Sequence, residues 1–177
     1  MAGSHVNLIS VTVVGHDRPG IIADVTARLA ELGGNLEDST MTLLRGHFAM
    51  MLICSSPATA VEVEKALDAL TADGSLVVSA REVPAEPDGA SGGRPYVLSV
   101  HGGDRPGIVS AIASVVADAG GNIVDLTTRL TGDLYVLVAD VDLPAEADVD
   151  ALRFRLNAAA YELGVDVALR PQETDVL

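Results

Sequence analysis

Apolar and polar positions alternate over residues 6–14, VNLISVTVV, which places Ile9, Val11 and Val13 on one face of a strand. The period then changes. Over 19–32, Ile21, Ile22, Val25, Leu29 and Leu32 recur at helical spacing, with Asp24, Arg28 and Glu31 on the other side. Gly33-Gly34 supplies the C-cap. Residues 35–54 predict two strands around a turn at Arg45-Gly46. A second helix is expected over 57–72 on Val63, Ala66, Leu67 and Leu70, then a strand over 75–83.

The order recurs after residue 94. A strand is expected at 95–102 and a helix at 106–119 carrying Ile108, Ile112, Val115 and Val116. A hairpin of 122–131 and 134–142 follows, about Thr131-Gly132-Asp133. A helix over 145–163 carries Val149, Leu152, Leu156 and Leu163, and a strand at 164–170 closes the set. The recurrence extends to residue identity: GHDRPGII at 15–22 answers GGDRPGIV at 102–109, and with an offset of 87 positions, 11 of the 24 residues from Asp17 to Thr40 are repeated without a gap. Between the copies, 83–95 is rich in Pro, Gly and small polar residues and reads as a linker. The expected domains are 5–83 and 96–171, joined by 84–95. The pattern βαββαβ, twice, specifies an α+β chain of two tandem ferredoxin-like units, each a four-stranded antiparallel sheet with helices on one face.

Composition narrows the function. The chain has 177 residues, is 49% hydrophobic and only 3% aromatic, so its cores are aliphatic. The net charge of −14 argues against direct nucleic-acid binding and against attachment to anionic membranes. No apolar run reaches the length of a membrane helix and the start lacks a secretory pattern, so a cytoplasmic setting is expected. Cys54 stands alone in an apolar strand, as a small buried hydrophobe does. His5, His16, His47 and His101 show no metal-ligand spacing with Cys54 or with paired carboxylates, so neither a zinc site nor another cofactor is expected. His16 and His101 either line a pocket or are simply exposed in loops. Met41, Met50 and Met51 read as core or interface fillers. Phe154 and Tyr161, two helical turns apart, read as a subunit contact or as ordinary core.

The repeated Asp-Arg-Pro-Gly carries the candidate chemistry. Proline favours the first helical position, which makes Arg18 the expected N-cap, Pro19 the first helical residue and Gly20 the second. Gly20 leaves the helix tip bare, and the free amides there favour an anion such as a carboxylate. Asp17 beside the tip is a natural partner for an ammonium group. Asn35, expected near this loop at the start of the next strand, offers both donor and acceptor. Asp104, Gly107 and Asn122 repeat the constellation. Each residue also has a local reading: Asp17 and Asp104 as turn caps, Asn35 and Asn122 as turn residues after Gly-Gly.

Asp-Arg-Pro-Gly-Ile after a strand, an amphipathic helix, then Gly-Gly-Asn resembles the ACT domain, in two copies that cover nearly the whole chain. Two ACT units and little else resemble the glycine cleavage system transcriptional repressor group. The resemblance implies a non-catalytic regulatory protein that senses a small amino acid and acts through a protein partner; units of about 80 residues, near the lower limit for a single core, imply mutual packing of the two units or a homodimer. By similarity to the serine-binding ACT domain of phosphoglycerate dehydrogenase, the ligand positions match Asp17 and Asn35, and Asp104 and Asn122, with Asp in both copies where that loop carries Asn. Arg18, Gly20 and Ile21, with Arg105, Gly107 and Ile108, complete the candidate set. An alternative is a regulatory subunit of an amino-acid biosynthetic enzyme. A remote one is an acylphosphatase-like hydrolase, which would use Arg18 and Arg105 but finds no companion nucleophile or base.

Overall fold

The computed structural model describes residues 6–84 and 93–172. Position 5 and most of the expected linker lie outside them. The chain divides into two units at Pro87/Asp88. Unit 1 holds β1 (Asn7–His16), α1 (Ile21–Glu31), β2 (Asn35–Leu44), β3 (His47–Ser56), α2 (Ala60–Leu67, continued by a 3₁₀ turn at Asp68–Leu70) and β4 (Leu76–Glu82). Unit 2 holds β5 (Arg94–Gly103), α3 (Ile108–Asp118), β6 (Asn122–Thr131), β7 (Leu134–Leu143), α4 (Val149–Leu163) and β8 (Val165–Pro171). The sheets are ordered β2-β3-β1-β4 and β6-β7-β5-β8, with every neighbouring pair antiparallel. This is the ferredoxin-like βαββαβ arrangement, twice.

Each core lies between the helices and one sheet face. In unit 1, Ile9, Val11 and Val13 are fully buried against Ile21, Val25 and Leu29 of α1 and Val63 and Leu67 of α2. In unit 2, Tyr96, Leu98 and Val100 meet Ile108, Ile112 and Val116 of α3 and Leu152 and Leu156 of α4. Ile22, expected on the core stripe, is instead 43% exposed. Phe154 and Tyr161 are 76% and 87% exposed, which rules out the reading of them as core. Met50 is buried, whereas Met41 and Met51 are exposed. Burial pushes the Cys54 thiol above its ordinary range, with the Glu37 charge adding to the effect.

Glycine sets both ends of α1. Gly33 N–H donates to the Ala30 carbonyl and Gly34 N–H to the Leu29 carbonyl, both at 2.9 Å, and Gly33 has φ of 69°. That is a Schellman cap, repeated at Gly120 and Gly121. The N-terminus differs from expectation. Gly20, with φ 90° and ψ −3°, is the N-cap, and the helix begins at Ile21. Those angles are those of the third residue of a type II turn, whose second position favours proline. Arg18-Pro19-Gly20 is therefore a turn ahead of the helix, and Gly107 (φ 92°, ψ −4°) does the same for α3. The second helix of each unit also starts later than expected, at Ala60 rather than 57 and at Val149 rather than 145. Thr59 and Glu62 form a capping box before α2, and Asp148 accepts from Ala151 N–H at 3.0 Å before α4.

Candidate ligand-binding loops

The loop after β1 is suspended from two neighbours. His16 N–H donates to the Ser75 carbonyl at 3.0 Å, and Asp17 N–H donates to the Gly46 carbonyl of the β2–β3 turn at 3.2 Å. The first of these contacts explains Gly15: a Cβ there would stand 2.0 Å from the Ser75 oxygen. The chain then makes its Pro-Gly turn and enters α1. The first intrahelical bond shown runs from Asp24 N–H to the Gly20 carbonyl at 2.8 Å. The amides of Ile21, Ile22 and Ala23 precede it at the positive end of the helix dipole.

Arg18 is already engaged. Its Nη1 lies 3.0 Å from Asp24 Oδ2 and 3.3 Å from the Pro19 carbonyl, so the guanidinium folds back over the first turn of α1. Asp73, in the turn before β4, is held below the usual carboxylate range by hydrogen bonding from Ser75, with Arg18 as a further cause. Asp17 is exposed, and among the described residues its carboxylate makes no hydrogen bond to its own backbone, so the turn-cap reading finds no support. A cavity of about 460 Å³ opens here, lined by Asp17, Arg18, Gly20, Ile21, Met41 and Phe48 among others. Its lining combines a negative charge and helix-tip residues with a thioether and a largely buried aromatic ring. Such a combination suits a small zwitterion with an apolar part.

The second copy departs from the first. Asp104 is exposed and follows Gly103 at the end of β5. The helix-tip geometry is kept, with Ala111 N–H bonded to the Gly107 carbonyl at 2.9 Å. But Ala111 stands where α1 carries Asp24, and Arg105 goes elsewhere. Its guanidinium lies at Gly164, the left-handed C-cap of α4, where an added Cβ would meet Nη1 at 3.2 Å. A cation there faces the negative end of α4.

The asparagines are not near these loops, contrary to expectation. Asn35 pairs with Ser55, and Ser55 with Leu8. From Leu8 to Asp17 is nine residues, about 30 Å of strand at roughly 3.3 Å each. Asn122 likewise pairs with Asp142, and that with Pro95, at the far end of β5 from Asp104. The reason is topological: α1 carries the chain back along β1, so β2 starts at the end where β1 starts. Met41 and Asp24, which sequence reading did not assign to the site, do belong to its surroundings. The difference between Asp24 and Ala111 was the available signal.

Among the described residues no group of three or more His, Cys, Asp or Glu could hold a metal ion, and no helix is long and apolar enough to cross a membrane.

Tandem βαββαβ units with glycine-tipped helices after the first strands define a class of small α+β module. The ACT domain model matches residues 7–80 and 94–170, and the chain belongs to that family. A UPF0237 protein of Methanopyrus kandleri is 46% identical over 79 residues, which are 44% of this chain and 87% of that one; another from Methanocaldococcus jannaschii is 36% identical over 78 residues, with the same coverage. Each therefore spans about one unit. Over both units, the chain is similar to a protein of unknown function from Galdieria sulphuraria (TM-score 0.80, 30% identity, 96% of this chain and 100% of that one). It shares its fold with a candidate glycine cleavage system transcriptional repressor (TM-score 0.70, 18% identity, 96% and 99%).

Proposed function

We propose that this ACT protein is a non-catalytic sensor: it binds a small amino acid at the Asp17 loop, and by repetition at the Asp104 loop, and passes the change to a protein partner. The cavity beside Asp17 carries the reading. The α1 amides would take the carboxylate, Asp17 the ammonium, and Met41 and Phe48 the apolar part. Gly20 and Gly107 keep the helix tips open, and Ile21 and Ile108 anchor those tips in the core. Arg18 lies at the rim of this cavity, whereas Arg105 lies against Gly164. The bounds 5–83 and 96–171 stand as the proposed extents of the sensing units, with 84–95 as the connection.

Asn35 and Asn122 fit this scheme only if another unit, of the same chain or of a second copy, brings one of them to an Asp loop; the reading includes a homodimer. Whether the partner is a transcriptional component or a biosynthetic enzyme, the ligand chemistry is shared. Direct nucleic-acid contact has no support in the charge of −14.

The test is a thermal-shift screen of the twenty amino acids. A ligand at a hundred times its dissociation constant stabilises by about 2.7 kcal/mol. A screen without a hit at millimolar concentration would defeat the proposal.

A further inference from the structure

His16 closes β1 and His47 opens β3, and the register sets them directly opposite one another. Opposed residues of an antiparallel pair share a face of the sheet. The two rings stand 5.3 Å apart between centroids and are tilted by 31°, and both side chains are exposed. The chain separates them by 31 positions, so spacing along the sequence hides what the strand register creates.

Two imidazoles at that separation suit chelation. A metal–nitrogen bond of about 2.0–2.1 Å and a tetrahedral angle put two ligating ring centroids about 5 Å apart. Imidazole serves Zn²⁺, Ni²⁺ and Cu²⁺ alike. We propose that His16 and His47 form a bidentate site for a divalent transition metal at the open end of the β1–β3 pair. Among the described residues no third His, Cys, Asp or Glu joins them, so the chain donates two ligands and water completes the shell. The site belongs to unit 1 alone, because Gly103 faces Leu134 at the matching register position of unit 2.

The ion would have a structural consequence. Asp17 follows His16 and hangs from Gly46, the residue before His47. A metal bridging the rings ties together the two strand ends that carry this contact and stiffens the Asp17 loop. That consequence rests on the sensor reading; the metal site itself does not.

The experiment is calorimetric titration of the full chain, stripped with EDTA, by Zn²⁺ or Ni²⁺ with no amino acid present. Wild type is expected to bind one ion per chain at this pair. His16→Gln and His47→Gln should each weaken that binding roughly tenfold or more, since even the loss of an indirect support of a metal ligand costs that much. His101→Gln, which alters a histidine placed 3.6 Å from Asp166, should leave it unchanged. Equal thermal midpoints in EDTA show that the variants fold, and the two single substitutions probe the pair independently. No saturable binding at millimolar metal, binding that survives the double substitution, or an equal loss in His101→Gln would each overturn the site.

Discussion

Arg18 and Asp24 meet at 3.0 Å across the first turn of α1, whereas Arg105, with Ala111 in place of that aspartate, lies against Gly164 at the end of α4. The two copies thus share a backbone and differ in what their arginines hold. In unit 1 the guanidinium is kept on Asp24. In unit 2 it joins the loop to the last helix.

This difference predicts a separation of stability from binding. Asp24→Ala breaks a half-exposed pair, and the unfolding free energy should fall by less than about 1 kcal/mol. Arg18, set free beside Asp17, would then compete for its carboxylate, and amino-acid affinity should drop. Denaturant unfolding and calorimetry on the same variant check both halves. Unchanged affinity would mean that Arg18 has no part in the cavity.

Gly15 and Gly20 are constrained differently. A Cβ at Gly15 collides with backbone at 2.0 Å, while one at Gly20 meets open space but requires a φ of 90°. Gly20→Ala should cost about 1–2 kcal/mol, the ordinary penalty of left-handed backbone. Gly15→Ala must move β1 away from Ser75 and should destabilise unit 1 more than that. The order of the two midpoints in urea is the readout.

The capping box before α2 predicts a pH dependence. Glu62 is held below its ordinary range by hydrogen bonds from Thr59, backbone first. A lowered carboxyl stabilises the fold above its unfolded-state range, and that contribution is lost as pH falls through the folded value. Thr59→Ala keeps the backbone N–H, the larger of the two donors, so it should flatten the acid limb of unit 1 stability only in part, while Glu62→Gln should flatten it fully. The cap itself is expected to be worth about 1 kcal/mol. Thermal unfolding from neutral to acid pH, with and without each substitution, tests it.

Cys54 should be slow to react. It is fully buried and its thiol is pushed up, so little thiolate meets solvent. Alkylation of native protein is expected to follow global opening, with rapid labelling in denaturant. Fast labelling of the folded chain would show an accessible state of β3 that the packing does not provide for.

Much of this fold is legible in the sequence because single residues decide it. The alternation of Ile9, Val11 and Val13 fixes the buried face of β1, Gly33-Gly34 ends α1, and Arg45-Gly46, both with positive φ, make the hairpin turn. Pro19-Gly20 reads as a helix start and is instead a turn, because proline suits both a first helical turn and the second place of a type II turn. Only the left-handed Gly20 resolves it. The true start of α2 is written in Thr59-Ala60-Val61-Glu62, a capping box that lies two residues inside the expected start at 57. The distance between Asn35 and Asp17 was not legible at all: it follows from the sheet order, which no local pattern states.

In the proposed sensor, Asp17 supplies the charge that holds an amino acid's ammonium group. Calorimetry of the strongest amino-acid hit against Asp104→Ala, which leaves the first loop as in wild type, and against Asp17→Ala/Asp104→Ala separates the two loops. A loss of affinity of tenfold or more is expected, which is about 1.4 kcal/mol, with the fold intact by circular dichroism. An affinity in the folded double variant equal to that of Asp104→Ala would contradict it.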